Sequence, residues 1–184
     1  MSRPPAVSAR EPDWSREAKR VFEWAPSRSL LAAIRAYQRQ QGRRGPGASL
    51  QRRIAVLRHR FWSIVTGADI PVNCQLGGGL LMPHPNGIVI HPSVVIGPNC
   101  LIFQQVTVGM RDGGKPVLGG HVDVGAGAKL LGAIRIGDHA CIGANAVVLH
   151  DVPDGATAVG VPARLVAAHA PPDPGGNADR PDGV

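Results

Sequence analysis

His84 stands between two prolines, Pro83 and Pro85, in the stretch LLMPHPNGIVIHP that covers residues 80–92. An imidazole changes charge near neutral pH, so a histidine held still is suited to moving a proton, to ligating a metal or simply to filling a stiff turn. Prolines on both sides restrict the backbone and are compatible with all three roles. The other soft groups are Cys74, Cys100 and Cys141, which form no CxxC pair and read as reduced thiols. A zinc or disulfide framework is therefore not expected.

The spacing of aliphatic residues shows what must hold His84. From Ile90 they recur every six positions, at Ile96, Ile102 and Val108, and after a ten-residue step at Leu118, Val124, Leu130, Ile136, Ile142 and Val148. Four places after most of them stands a second apolar residue, often small: Cys100, Val106, Val122, Ala128, Ile134, Ala140, Ala146 and Val152. This period is neither helical nor a simple alternation. It predicts a parallel β-helix, in which short strands turn corners and stacked coils bury one continuous core. The third place after the aliphatic residue holds Asn99, His121, Gly127, His139, Asn145 and Asp151, types that tolerate left-handed backbone angles, so these are expected at corners. His121 and His139 are then structural, Cys100 fills an inward slot and Cys141 points outward. Upstream the spacing continues at Ile70, Leu76, Met82 and Ile88, with a two-residue shift before Ile90. His84 lies two places after Met82, outside the corner phase, and a corner role does not account for it.

Residues 1–68 differ in character from the repeats. They hold fourteen of the twenty Lys and Arg but four of the thirteen Asp and Glu, and six of the seven aromatics. The head is thus +10 and the remainder −3. No nucleic-acid motif accompanies the arginines, so a solvated helix face is expected. Two helices are predicted, one with the stripe Leu30, Ile34 and Tyr37, capped by Ser27 or Ser29 and ended by Gly42. The other carries Leu50, Ile54, Leu57 and Phe61, with Ser49 as cap and Gly67 as stop. Each narrow stripe is expected to pack on the other helix, on the repeats or on a partner chain. The expected organisation is an irregular arm over 1–26, a basic helical segment over 27–68, the β-helix over 69–166 and a disordered tail rich in Pro, Gly and Asp over 167–184. No apolar leader opens the chain and no run of about 18 apolar residues crosses a bilayer, so a cytoplasmic protein is expected.

Between residues 67 and 166 the chain resembles the serine acetyltransferases of the hexapeptide-repeat acyltransferase superfamily. The resemblance is carried by Asp69 followed by His84, by NGIVI, IGPNCLIFQQVTVG, VGAGAKLLGAIRIG and IGANAVVLHDVP, and by the closing GVPAR. It implies a mostly β fold, a left-handed parallel β-helix with a short N-terminal helical segment, assembled as a homotrimer with active sites between subunits. It also implies acetyl-CoA as co-substrate, no metal, and O-acetylation of L-serine, the first step from serine to cysteine. His84 would be the general base on the acceptor hydroxyl, with Asp69 fixing its tautomer. Fifteen residues separate the two, close to one three-sided coil of eighteen, so they are expected on neighbouring coils roughly 5 Å apart. By position Ala126 and Ala144 match the family's coenzyme contacts, and Lys129 would meet a phosphate.

Two departures bear on the acceptor. Pro83 stands where the family usually has Asp, and the shorter interval over residues 109–118 reads Gly114-Lys115-Pro116 where the family usually has Arg-His-Pro. Lys115 or Arg111 is then left to bind an acceptor carboxylate, from a loop expected to protrude over the site. A sugar, polysaccharide or other small hydroxyl compound is the alternative acceptor. A zinc-dependent hydratase like the γ-type carbonic anhydrases, or a noncatalytic scaffold, uses the same helix, but the histidine pair spaced five apart in those enzymes is absent. The ending Asp-Gly-Val is similar to the Asp-Gly-Ile with which some relatives enter O-acetylserine sulfhydrylase, which makes that enzyme a possible partner.

Overall fold

Each hexapeptide bends the chain once, and three bends close a coil. The structure, a computed structural model, describes residues 7–20 and 23–166; the tail and its Asp-Gly-Val end lie outside the described residues. Short strands, numbered in chain order, stack into three parallel faces. Face A contains Val89–Ile90 (β2), Thr107–Gly109 (β5), Lys129–Leu131 (β8) and Val147–Val148 (β11). Face B contains Gln75–Leu76 (β1), Val95–Ile96 (β3), Val117–Leu118 (β6) and Arg135–Ile136 (β9). Face C contains Leu101–Ile102 (β4), Asp123–Val124 (β7), Cys141–Ile142 (β10), Thr157–Val159 (β12) and Arg164–Val166 (β13). Among the described residues only β13 runs antiparallel, folding back on β12 with Ala158 opposite Leu165. It covers the open end of face C, where the row of unpaired strand groups would otherwise remain.

Both apolar slots of the repeat point inward. Ile90, Ile96, Ile102, Val108, Leu118, Val124, Leu130, Ile136, Ile142 and Val148 are buried, as are Cys100, Val106, Val122, Ala128, Ile134, Ala140, Ala146 and Val152. The large slot lies on a strand and the small one at the approach to the next, so each layer alternates bulk with filler. Corners fall where the repeat places them: Asn99, His121, Gly127, His139 and Asn145 all have positive φ. Asp151 departs from the expectation: it does not take positive φ, and its carboxylate accepts the Arg135 N–H at 2.8 Å. Gln105 takes φ 59° at the same phase, three places after Ile102, although glutamine is not a type that favours left-handed angles. His121 and His139 stack on adjacent coils with their Nδ1 atoms 2.9 Å apart, one necessarily donating to the other. Burial lowers the His121 pKa, Asp123 opposes this, and His139 and Arg16 add to it.

The coils are not of equal length, and the irregularities matter. Val89 pairs Thr107 and Asp123 pairs Cys141, steps of 18 residues. Asp69 bridges Val89 and Leu81 bridges Leu101, steps of 20, while Val95 pairs Val117 across 22. The two extra residues fall in the corner between Leu81 and Val89. The four extra ones fall between β5 and β6.

The helical head is Pro26–Gln38 (α1) and Pro46–Thr66 (α2). The expected serine caps are not used. Ala25 and Gly45 occupy the N-cap positions ahead of Pro26 and Pro46, so Ser27, Ser29 and Ser49 lie inside the helices. A proline in the first turn arrives with helical φ and brings no N–H to satisfy, which makes a side-chain cap less necessary. Arg39 rather than Gly42 ends α1, whereas Gly67 ends α2 as expected, in the left-handed conformation at φ 65°. Leu30, Leu31 and Ile34 join the core. The α2 stripe of Leu50, Ile54, Leu57 and Phe61 does not: α2 buries Ala55 and Thr66 on its other side.

Ahead of α1 the arm climbs the corner between faces B and C. The side chain of the fully buried Asn99 accepts from the Asp13 N–H at 2.7 Å and donates to the carbonyls of Ser8 and Glu11 at 2.7 and 2.8 Å. Gly78 lies under Trp14, and Gly120 lies against the Ala9 backbone so closely that a Cβ there would overlap it. Gly120→Ala is expected to cost about 1–3 kcal/mol and to free the arm. Limited trypsin digestion should then cut at Arg10 and Arg16 much faster than in the unsubstituted protein. Unchanged cleavage would mean that the arm does not rest on that corner.

Candidate active site

His84 sits on the lengthened corner between faces C and A. Where Leu101 reaches Thr107 in six residues, Leu81 needs eight to reach Val89, and the surplus pushes Pro83 and His84 out of the corner to the surface. Beneath this corner the chain leaves α2: the Gly87 N–H donates to the Gly67 carbonyl at 2.9 Å, and Asn86 lies over Gly67. Two residues later Asp69 joins face A, donating its N–H to Ile88 at 2.8 Å and accepting from Ile90 at 3.0 Å. The helix end, the first coil and the lengthened corner thus converge. Asp69 and His84 are both exposed and lie at the same edge of the solenoid. The ion pairs among the described residues are Arg28–Glu23, Arg35–Glu17 and Arg111–Asp112, so the Asp69 carboxylate and the His84 ring are not in contact within one chain.

Ala126 and Ala144 occupy the same edge on successive coils above His84, in the corners that lead into β8 and β11. Their N-terminal neighbours are stacked tightly, because a Cβ on Gly125 would strike the backbone of Gly143 and Ala144. Lys129 starts β8, and its Nζ donates to the Gln105 carbonyl at 2.6 Å, which holds the ammonium beside that edge with further donors to spare. Gln104 also belongs to this edge. Its Oε1 is buried without a hydrogen-bond partner among the described residues, an acceptor that a donor from outside the chain could satisfy. Nothing in the repeat marked Gln104, since its phase is shared by ordinary turn residues.

Arg111 and Lys115 lie elsewhere. The ten-residue interval forms a small turn closed by the Arg111–Gly114 bridge, and it protrudes as expected, but from the corner between faces A and B. Within one chain the loop therefore does not cover His84; the width of face A separates them. Next to the loop is a cavity of about 420 Å³ lined by Arg111, Asp112, Leu131, Gly132, Ala133, Leu149 and His150. His150 joins Arg111 there because Leu149 and His150 turn the same corner two coils later, a coincidence of stacking that linear spacing hides.

The thiols are graded by burial. Burial, reinforced by Asp69, pushes Cys74 up to about 12, and burial pushes Cys100 up to about 11. Cys141 is raised too, by burial and then Asp123, but it is exposed. One thiol per chain should therefore react with an aromatic disulfide reagent in the native protein, and three in denaturant. Cys141→Ser should remove the native signal. Among the described residues no group of three or more His, Cys, Asp and Glu could hold a metal ion, and no helix is long and apolar enough to cross a membrane.

Three-sided parallel coils with two inward slots per hexapeptide define a hexapeptide-repeat β-solenoid protein. No family model matches the chain. It is 45% identical over 107 residues to a serine acetyltransferase of Synechococcus elongatus, covering 56% of this chain and 44% of that one. A soybean serine acetyltransferase complexed with serine superposes with a TM-score of 0.58 at 34% identity, covering 75% of this chain and 70% of that one. A serine acetyltransferase in complex with CoA gives a TM-score of 0.63 at 34% identity, covering 78% and 58%. The chain belongs to the serine acetyltransferase family. It spans about half the length of the curated relatives it matches.

Proposed function

We propose that the chain transfers the acetyl group of acetyl-CoA to the hydroxyl of L-serine. The observation that carries this reading is the lengthened corner that presents His84, exposed and unpaired, beside Asp69 in a chain of this family. A neutral alcohol is a poor nucleophile, and a base that takes its proton as the bond forms lowers the barrier. His84 accepts the serine hydroxyl proton, the oxygen attacks the thioester carbonyl, and the tetrahedral intermediate collapses with departure of the CoA sulfur. The imidazolium returns the proton to that sulfur, so atoms and charge balance over one turnover. Asp69 then acts on the ring nitrogen away from the substrate. Its contact with His84 forms as the corner is covered, since catalytic hydrogen bonds commonly tighten only in the substrate complex.

The covering comes from a second chain in a trimer. Face A has His84 along one edge and the Arg111–Lys115 loop along the other, so a site needing both is completed when the loop edge of one subunit meets the His84 edge of the next. Arg111 or Lys115 would then hold the serine carboxylate. The coenzyme would run along the same groove past Ala126 and Ala144, where small side chains let the main chain approach, with Lys129 facing a phosphate. Pro83, in place of the family's usual acidic residue, favours a second reading in which a different small alcohol or a sugar hydroxyl is the acceptor. The test is thiol release from acetyl-CoA by the purified protein with L-serine, then homoserine, then a panel of sugars. Release with serine supports the proposal, release only with another alcohol moves the acceptor, and a folded trimer silent with all of them would end it.

A further inference from the structure

We propose that the outward face of α2 is a docking surface for an acidic amphipathic helix of another protein. Besides Val65, which is 39% exposed, five large apolar side chains on this helix face water as a stripe: Leu50, Ile54, Leu57, Phe61 and Ile64 are 59%, 47%, 65%, 56% and 83% exposed. Their spacing of four, three, four and three residues is the alternation of a heptad seam, with Leu50, Leu57 and Ile64 at one core position and Ile54 and Phe61 at the other. The opposite side of α2 is committed to α1 and the first coil, with Ala55 and Thr66 buried and the His59 ring meeting the Ile70 carbonyl at 2.7 Å. The seam therefore points away from the rest of the described residues.

The residues beside the seam indicate the occupant. Arg53 and Arg60 lie along one flank and Arg58 along the other, all exposed, and α2 contains no Asp or Glu. Two copies of α2 would set arginine against arginine in either orientation, because parallel pairing opposes the two flanks and antiparallel pairing opposes each flank to itself. Pairing of α2 with a second α2 is thereby disfavoured, and a helix with carboxylates at its flanking positions is complementary. Between α1 and α2 a groove of about 620 Å³ adds to this, lined by Tyr37, Ser49, Arg52, Arg53, Val56, Leu57 and Arg60. Three guanidinium groups there can take carboxylates as bidentate partners. A basic amphipathic helix can also lie on an anionic lipid surface. The strict seam of one apolar residue per half-heptad instead suits insertion into the holes of a facing helix.

The experiment uses the full chain and a labelled 21-residue peptide with Ile and Leu at the two core positions and Glu at the flanking ones, alongside a twin with Lys in place of Glu. Fluorescence anisotropy in 50 mM salt should show one Glu peptide bound per chain, at least tenfold more tightly than the Lys twin, weakening as salt rises. Leu57→Asp should abolish binding. The triple change Arg53→Glu, Arg58→Glu and Arg60→Glu alters exposed positions only and should reverse the preference in favour of the Lys twin. Circular dichroism confirms that both variants keep their helices; if Leu57→Asp does not, the triple variant alone decides. Equal binding of the two peptides, or no reversal, would overturn the proposal. So would a sedimentation coefficient that falls on Leu57→Asp, which would make a second copy of the chain the occupant. Co-sedimentation with phosphatidylglycerol vesicles but no binding of the Glu peptide would assign the face to lipid.

Discussion

Replacing His84 with alanine is expected to slow thiol release from acetyl-CoA by about 10²–10⁴-fold, the usual contribution of a positioned general base, while the protein keeps its assembly and thermal midpoint. The structural half of this expectation follows from position. His84 is exposed, and the two residues that lengthen its corner beyond the later ones carry no inward side chain at that point. Losing the imidazole therefore opens no cavity. The catalytic half follows from chemistry: besides His84 that edge of the solenoid carries Asp69, which orients the ring, and Lys129, whose ammonium holds the Gln105 carbonyl and can only donate. The matched variant is Asp69→Asn, which leaves the base but removes its orienting charge, and a smaller fall in kcat with little change in KM is expected. A His84→Ala protein that still turns over at the original rate would remove His84 from the reaction.

Arg35→Ala is expected to have the largest effect on stability, about 3–5 kcal/mol, the range for breaking a buried pair by deleting one partner. Arg35 is 8% exposed and uses its whole donor fork. It meets the Glu17 carboxylate at 2.8 and 3.1 Å, the Leu76 and Gly77 carbonyls at 2.6 Å each, and Gln38 at 2.9 Å, and its guanidinium lies 5.3 Å from the centre of the Trp14 ring. Glu17 in turn accepts the Leu80 N–H at 3.1 Å. One side chain thus ties the arm, α1 and the first coil together. Its removal strands a buried carboxylate and two carbonyls in the region that feeds the His84 corner. A urea titration should show a lower midpoint, and the variant should lose activity in parallel with the first coil. Glu17→Gln keeps the hydrogen-bonding shape without the charge and should cost less. An Arg35→Ala midpoint within error of the original would mean that the head and the solenoid are held together by other contacts.

The two variants separate function from scaffold, because one touches a surface that does chemistry and the other a junction that only holds the surface in place. The thiol titration and the arm digestion extend the same division to the body and the N-terminal segment.

Much of this arrangement is written locally. A β-helix repeats one short instruction, an aliphatic residue every sixth position with a smaller apolar one four places later, and each repeat acts within its own coil. The slots from Ile90 to Val152, the corners at Asn99, His121, Gly127, His139 and Asn145, and the irregular position of His84 were legible for that reason. Asp69 and His84 were likewise close enough in sequence to be placed together. What linear spacing did not contain was the consequence of unequal coils. Insertions of two and four residues shift every later coil, and only stacking decides that His84 shares an edge with Ala126, Ala144 and Gln104 while Arg111 shares the opposite edge with His150. The arm's path over Asn99 and Gly120, and the outward face of α2, were hidden for a related reason: an apolar stripe or a small residue records that a surface is suited to contact, whereas the element that covers it, or leaves it bare, is chosen by the fold as a whole.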